Sequence, residues 1–232
     1  MSTSTSTHAQ AFARLQQERH AAISHEDHNL SPRALTTHRL GLLQKANDNL
    51  AALIPAVPGI SGPTQAEILD SLHPSTADEI AVSRDMRERI QADLDRGRRL
   101  EQILASADQR TIVSLLHWLP TMPGVTDSPH RDEIMAEIQA LAFGRLAEIG
   151  HEPAVARLQA EQENALPAAV ARVFNEALAG TVTTGAWTDL HLAGPEVYRE
   201  IQAAEVPGLT EEVRRFGILA ARQVEPDQFA TR

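Results

Sequence analysis

The chain has 232 residues, a formal net charge of −10 and no cysteine. This length is sufficient for one large domain, or for a domain with an arm, that buries a hydrophobic core. The absence of cysteine excludes a disulfide scaffold, a thiol nucleophile and a cysteine-based zinc site. Because no run of about 18 consecutive apolar residues occurs, we expect a soluble protein made in a cytoplasm, without a transmembrane segment or a secretory signal.

The negative charge is unevenly distributed along the chain. Residues 1–60 hold five basic and four acidic residues, whereas residues 61–232 hold 16 basic and 27 acidic residues. An acidic surface repels phosphate backbones, so we expect no direct nucleic-acid binding by the larger, acidic part. Lys45 is the single lysine beside 20 arginines, a usage that favours a GC-rich genome.

Apolar residues recur at helical spacing along most of the chain. Residues 181–192 have the only strand-like composition, and this segment is too short to found a sheet. The predicted fold is therefore all-α, a multi-helix bundle with an extended N-terminal helical arm and negligible β-structure. The predicted helices cover residues 9–23, 32 to the first Pro-Gly corner, 65–72, 76–105, 112–119, 129–149, 153–164, 167–179, 195–204 and 210–221.

A five-residue phrase occurs three times between predicted helices. Its copies are residues 57–61, 122–126 and 206–210, with the sequences VPGIS, MPGVT and VPGLT. Proline presets φ for the second position of a type II turn, and glycine supplies the positive φ of the third. The Ser or Thr that follows can cap the next helix. We therefore expect three tight corners; a duplicated repeat unit is the alternative, which the unequal spacing disfavours.

These corners suggest three regions: a tail and helical arm over residues 1–60, a helical body over 61–222 and a C-terminal tail over 223–232. The arm carries an amphipathic apolar stripe, and aromatic residues are enriched at protein interfaces. Trp118 is expected in the core, and Trp187 in a loop rich in glycine and threonine. The side chains predicted to contact a partner are Phe12, Leu15, Ile23, Leu30, Leu35, Trp187 and Tyr198.

The most metal-like feature is a histidine-rich segment in the arm, His20, His25, His28 and His38, together with Glu26 and Asp27. Imidazole and carboxylate groups are good ligands for zinc and other transition metals. However, the segment contains no HExxH pattern, and a solvated linker between helices explains it as well. We therefore predict no metal and no cofactor.

Motifs for catalysis are also missing from the sequence. There is no glycine-rich phosphate loop, no dinucleotide fingerprint and no G-x-S-x-G elbow. We therefore predict that the protein is not an enzyme, with an enzyme of unrecognised type as a remaining alternative.

One segment resembles a known family. The sequence ISHEDHNLSP, residues 23–32, is followed in a helix by Arg39, Leu40, Leu43, Lys45 and Ala46. Over residues 20–54 the chain resembles small helical proteins encoded among the head genes of tailed bacteriophages, particularly those infecting GC-rich actinobacteria. In those proteins an acidic residue, Asn-Leu-Ser/Thr and a basic amphipathic helix recur in the same order.

This resemblance implies a capsid-associated structural or head-assembly protein located in the virion and assembled in the host cytoplasm. It would bind capsid, portal or neighbouring head proteins in multiple copies, as a homo-oligomer and without membrane contact. The alternative is a cytoplasmic bacterial adaptor or regulatory module that binds another protein.

Overall fold

The computed structural model describes residues 6–224, with side chains through residue 221. The fold is all-α, with 76% of the residues in helices, and no strand occurs within this described range. The α-helices are α1 Thr7–Ser24, α2 Pro32–Ala51, α3 Gln65–Ser71, α4 Ala77–Asp95, α5 Leu100–Ala105, α6 Gln109–Trp118, α7 Pro123–Thr126, α8 Arg131–Glu148, α9 Glu152–Leu178, α10 Thr184–Ala193, α11 Pro195–Ala203 and α12 Leu209–Val224.

The chain is organised as two compact units. Unit 1 combines the described residues up to Pro58 with those from Glu163 onward, and unit 2 is the continuous segment Gly59–Gln162. The predicted boundary near residue 60 is thus present, but the predicted separation of an arm from a body over 61–222 is wrong. Helices α1 and α2 pack against α11 and α12 from the other end of the chain. Burying the apolar stripe of α1 is what joins the two ends.

Aromatic side chains form the centre of unit 1. Phe12 and Phe174 stack with ring centroids 6.2 Å apart, and Trp187 meets Phe12 edge-on at 6.3 Å. Tyr198 in turn packs edge-on against Trp187 at 6.0 Å. Phe12 is 1% exposed and Phe174 is fully buried. Such pairs add stability beyond the apolar area that they bury.

A buried arginine links three helices of unit 1 by hydrogen bonds. The guanidinium of Arg19 donates two hydrogen bonds to Oδ1 of Asn47, at 3.1 and 2.8 Å, and one to the carbonyl of Ala177 at 3.0 Å. This carbonyl lies in the last turn of α9, where a cation interacts favourably with the helix dipole. Burial lowers the pKa of Arg19. Arg19 therefore ties α1 to α2 and to the end of α9.

The core of unit 2 is mainly aliphatic. Ile112, Leu115 and Leu119 are fully buried and pack with apolar residues of α3, α4, α5 and α8. As expected from their spacing, Met122 is buried, and Met86 and Met135 pack against the same cluster. Trp118 is half-buried at its edge.

The predicted long helix over residues 76–105 is wrong, because the chain folds as α4 and α5 with a break between them. Gly97 adopts φ of +86°, which only glycine reaches without strain. The Gly97 N–H donates to the carbonyl of Leu94 at 2.8 Å, and that of Arg98 to the carbonyl of Asp93 at 3.1 Å. These two bonds form a Schellman motif that ends α4.

The predicted break between residues 164 and 167 is also wrong. Pro167 lies inside the continuous helix α9. A proline in a helix interior removes one backbone hydrogen bond and crowds the preceding turn. Ala154 before it and Val170, Val173 and Phe174 after it are fully buried. Their burial outweighs the local preference of the proline.

The strand-like segment 181–192 forms a helix instead. Thr183 caps α10 by accepting a hydrogen bond from the Ala186 N–H at 3.2 Å, and Ala186 and Leu190 are fully buried. Trp187 therefore lies on α10 rather than in the predicted loop. Packing has overridden a weak local preference for strand.

The recurring five-residue phrase adopts three different conformations. Residues 55–61 have no regular secondary structure, whereas the second copy forms α7. Only the third copy forms the expected turn, in which the Leu209 N–H donates to the Val206 carbonyl at 3.2 Å and Gly208 has φ of +81°. In none of the three does the Ser or Thr cap a following helix, so this part of the prediction is wrong.

Most predicted helix starts are confirmed. Ser31 caps α2 directly before Pro32, and Thr64 forms a capping box with Glu67 at the start of α3. The expected start at Ser128-Pro129 is two residues early, because α8 begins at Arg131 without a side-chain cap. The predicted tails fall largely outside the described residues, although Ser6 caps α1 and residues 223–224 end α12.

Candidate functional site

The structure places the predicted contact residues in different environments. Phe12 and Leu15 are each 1% exposed, so they belong to the core of unit 1 and offer no surface to a partner. This corrects the prediction for both. The other five, Ile23, Leu30, Leu35, Trp187 and Tyr198, are half-buried, and their role at an interface remains a prediction.

A candidate binding site lies within unit 2. An open groove of about 830 Å³ runs between the α3–α4 connection, the start of α4 and the first half of α6, and we call it the α4–α6 groove. Its lining residues are Ser71, Leu72, His73, Pro74, Ser75, Asp78, Glu79, Val82, Ser83, Asp108, Gln109, Arg110, Val113 and Ser114.

Apolar side chains and two buried serines belong to the lining of the α4–α6 groove. Val82 is 49% exposed there, which is high for a branched aliphatic residue. Ser83 and Ser114 are each only 2% exposed. The indole N–H of Trp118 donates to Oγ of Ser83 at 3.0 Å and to its carbonyl at 3.2 Å. The Ser83 hydroxyl is thereby fixed to the neighbouring helix.

Carboxylates from two helix N-termini border the groove. Oε2 of Glu79 accepts from the backbone N–H groups of Ser75 at 2.9 Å and Thr76 at 3.0 Å. Oδ1 of Asp108 accepts from the hydroxyl of Thr111 at 2.6 Å and from its N–H at 2.9 Å. Both helix ends, which could otherwise attract an anion, are already occupied by the protein's own carboxylates.

These hydrogen bonds keep the groove negatively charged. The backbone N–H groups of Ser75 and Thr76 lower the pKa of Glu79. The side-chain and backbone hydrogen bonds from Thr111 lower the pKa of Asp108. With Asp78, three carboxylates border the groove, and Arg110 is the one arginine in its lining. The balance of charge favours a cationic ligand over an anionic one.

The α4–α6 groove lacks a nucleophile activated by a base. Within the described residues, neither Ser83 nor Ser114 makes a hydrogen bond to an imidazole. His73 approaches Oδ1 of Asp70 at 3.7 Å, and its ring lies 6.0 Å from that of His117. A hydrolytic site would need the nucleophile and its base within hydrogen-bond reach.

A second, more apolar pocket of about 440 Å³ lies elsewhere in unit 2, between the end of α4 and helices α5, α7 and α8. Met122 and Val125 of the recurring phrase form part of its wall. Glu101 and Glu137 contribute carboxylates to it. This pocket is about half the volume of the α4–α6 groove.

Two further properties concern the described part of the chain as a whole. No helix between residues 6 and 224 has the length and apolar character needed to cross a bilayer. Over the same range, no three or more histidine, aspartate or glutamate side chains are grouped so that they could hold a metal ion together.

Comparison of this chain with protein-family models, with curated proteins and with solved structures finds no match in any of the three. The interpretation of the groove therefore rests on its own geometry and charge.

The sequence showed some of these groove residues without showing that they form one site. Helical spacing of apolar residues predicted helices from residues 76 and 112 onward. That residues of both helices line one groove depends on how α4 packs against α6. No local pattern carries that information.

Proposed function

We propose that this protein is a non-enzymatic, protein-binding protein that uses the α4–α6 groove as a docking surface. The observation that carries the proposal is the exposed Val82 side chain in a groove that the Glu79 and Asp108 carboxylates also line. Exposed apolar surface with a polar rim is typical of sites that bind other proteins.

The chemistry of the groove favours one kind of occupant. An apolar side chain of a partner segment would cover Val82 and Val113, and an adjacent Arg or Lys would meet the ionised carboxylates. An acidic segment would be repelled by the same groups. We therefore propose a basic segment with an apolar anchor as the ligand.

The groove is less suited to catalysis than to binding. General acid–base catalysis needs a group whose pKa lies near the working pH, whereas hydrogen bonds lower the pKa of both Glu79 and Asp108. Their lone pairs are also used in capping α4 and α6. These features support a binding role over an enzymatic one.

The resemblance of residues 20–54 to phage head proteins suggests a more specific role. We propose that the protein is a multi-copy component of a phage particle, or an assembly factor, and that the partner is a capsid, portal or neighbouring head protein. A cytoplasmic bacterial adaptor with one defined partner is the alternative, and the groove chemistry is compatible with both.

The groove is tested with two matched substitutions on α4. Val82→Lys removes the apolar contact and adds a positive charge, whereas Ile80→Lys makes the same change at a residue 43% exposed outside the groove. Capture of the natural partner by Val82→Lys should fall at least about tenfold, which corresponds to about 1.4 kcal/mol. The Ile80→Lys variant should bind as the original chain does.

Equal binding by both variants, measured with the partner identified by crosslinking, would contradict a docking role for the groove. The phage assignment has its own test, by mass measurement in solution and by analysis of purified particles. A protein that is monomeric and absent from particles would rule out the virion role while leaving the adaptor role open.

A further inference from the structure

Two of the four histidines in the N-terminal segment are brought together within unit 1. His25 caps the C-terminus of α1, and His38 lies on α2. Their ring centroids are 4.8 Å apart with an angle of 46° between the ring planes. His38 is exposed and His25 is half-buried, so solvent and ions can reach the pair. His20 and His28 make no such ring contact within the described structure.

The separation of the two rings matches that of a chelating pair. A zinc-type ion lies about 2.0–2.1 Å from an imidazole nitrogen, and the ring centre lies about 1.1 Å behind that nitrogen. For a ligand–metal–ligand angle of about 90° to 110°, two ring centres are then about 4.4–5.2 Å apart. The observed 4.8 Å falls inside this interval.

The connection between α1 and α2 is held by its own hydrogen bonds. The guanidinium of Arg39, next to His38 on α2, donates to the carbonyl of His25 at 2.8 Å. Oδ1 of Asp27 accepts from the Asn29 N–H at 2.9 Å, which is an Asx-turn. The backbone that brings His25 near His38 is thus held by contacts that involve neither ring.

We propose that His25 and His38 form a two-histidine site for a divalent transition-metal ion that favours imidazole, namely Zn²⁺, Ni²⁺ or Cu²⁺. Since the described residues contain no group of three donors, water or a partner's side chain fills the remaining coordination positions. The bound ion joins the end of α1 to α2. This inference is independent of the α4–α6 groove and of the proposed function.

The test uses the full chain, ZnCl₂ or NiCl₂ as the probe, and substitutions of His25, His28 and His38. His38→Gln removes one proposed ligand, whereas His28→Gln removes an exposed histidine three residues from His25 that lies outside the pair. Titration calorimetry should give one Zn²⁺ ion per chain at this site, and His38→Gln should weaken it at least tenfold. His28→Gln should bind within twofold of the original chain.

Thermal unfolding provides a second measurement that does not depend on the calorimetric fit. An ion that binds the folded chain raises the unfolding temperature, so Zn²⁺ should stabilise the original chain and His28→Gln but not His25→Gln or His38→Gln. Circular dichroism without metal shows whether each variant is folded. Equal Zn²⁺ affinity of the original chain and His38→Gln, or equal losses in His28→Gln and His38→Gln, would overturn the proposal.

Discussion

The two units differ in how their helices are held. Unit 1 joins both ends of the chain around large aromatic side chains, with Phe12 of α1 stacked on Phe174 of α9. Unit 2 is a single continuous segment whose elements are often short, such as α3 with 7 residues, α5 with 6 and α7 with 4. Helices of this length are unstable alone, so capping side chains and aliphatic packing must hold them.

The candidate groove of unit 2 is bordered by the caps of two helices. Every α-helix has unpaired backbone groups at its ends, and Glu79 and Asp108 satisfy such groups at the starts of α4 and α6. Both carboxylates line the α4–α6 groove, so the capping groups also give this surface its negative charge. In unit 1 large aromatic residues instead pack together in the core.

The largest expected effect is the loss of stability when one buried phenylalanine ring is removed from the core of either unit. Phe174→Ala in unit 1 and Phe143→Ala in unit 2 each remove a ring that is at most 2% exposed. Each should lower the free energy of unfolding by about 3–5 kcal/mol. Phe174→Ala also removes the stacked contact with Phe12, which adds about 0.5–1.5 kcal/mol to the loss of stability. In chemical denaturation Phe174→Ala should therefore be the more destabilising of the two.

Hydrogen exchange on the same variants shows where the loss occurs. Phe174→Ala should reduce protection mainly in α1, α10 and α11, and Phe143→Ala mainly in α5, α6 and α8. A loss spread evenly over both units by either substitution would argue against two separate cores.

A smaller effect tests the glycine that divides α4 from α5. Gly97→Ala places a Cβ atom at φ of +86° and should destabilise unit 2 by about 1 kcal/mol. Gly144→Ala, in the interior of α8 with no atom within 4 Å of the new Cβ, should instead stabilise by roughly 0.5–1 kcal/mol. Urea denaturation measures both. The same sign for the two variants would show that positive φ at Gly97 does not determine the break.

The smallest effect concerns pH and the caps of both units. Glu79 in unit 2 and Glu176 in unit 1 accept backbone hydrogen bonds that lower their pKa from the ordinary value of 4.5. Their contribution to stability is therefore complete above pH 4.5 and is lost as the pH falls through the lowered pKa values.

Carboxyl NMR titration should give midpoints below 4.5 for both groups, and Glu79→Gln should reduce the acid dependence of stability in unit 2 alone. Since Glu79 is exposed and Glu176 is only half-buried, the effect on overall stability should be small. A midpoint at or above 4.5 for Glu79 would show that the cap does not hold in solution.

Much of the fold was predictable where local signals are strong. Helix periodicity predicted the correct class and several helix boundaries, including the starts at residues 32 and 65 that Ser31 and Thr64 cap in the structure. The errors occurred at a glycine and a proline, because whether either residue ends a helix depends on the packing around it. Gly97 ended a helix that the apolar pattern continued, and Pro167 remained inside one that the pattern ended.

The candidate sites were harder to predict than the fold. The groove residues come from α3, α4 and α6, and their proximity follows from packing rather than spacing. Phe12 and Leu15 have the composition of a contact surface, but they are buried because the C-terminal helices cover them. The histidine segment was visible as a group of four, whereas only the structure selects the pair His25 and His38.

By itself, the sequence determined the all-α class, the positions of most helices and the caps that begin them, because these depend on residues within one or two turns of each other. Tertiary structure decided which helices share a core, which residues line the α4–α6 groove, and which of three similar Pro-Gly phrases forms a turn. Those outcomes depend on burial of apolar side chains distant in sequence, a gain larger than the preference of any single residue.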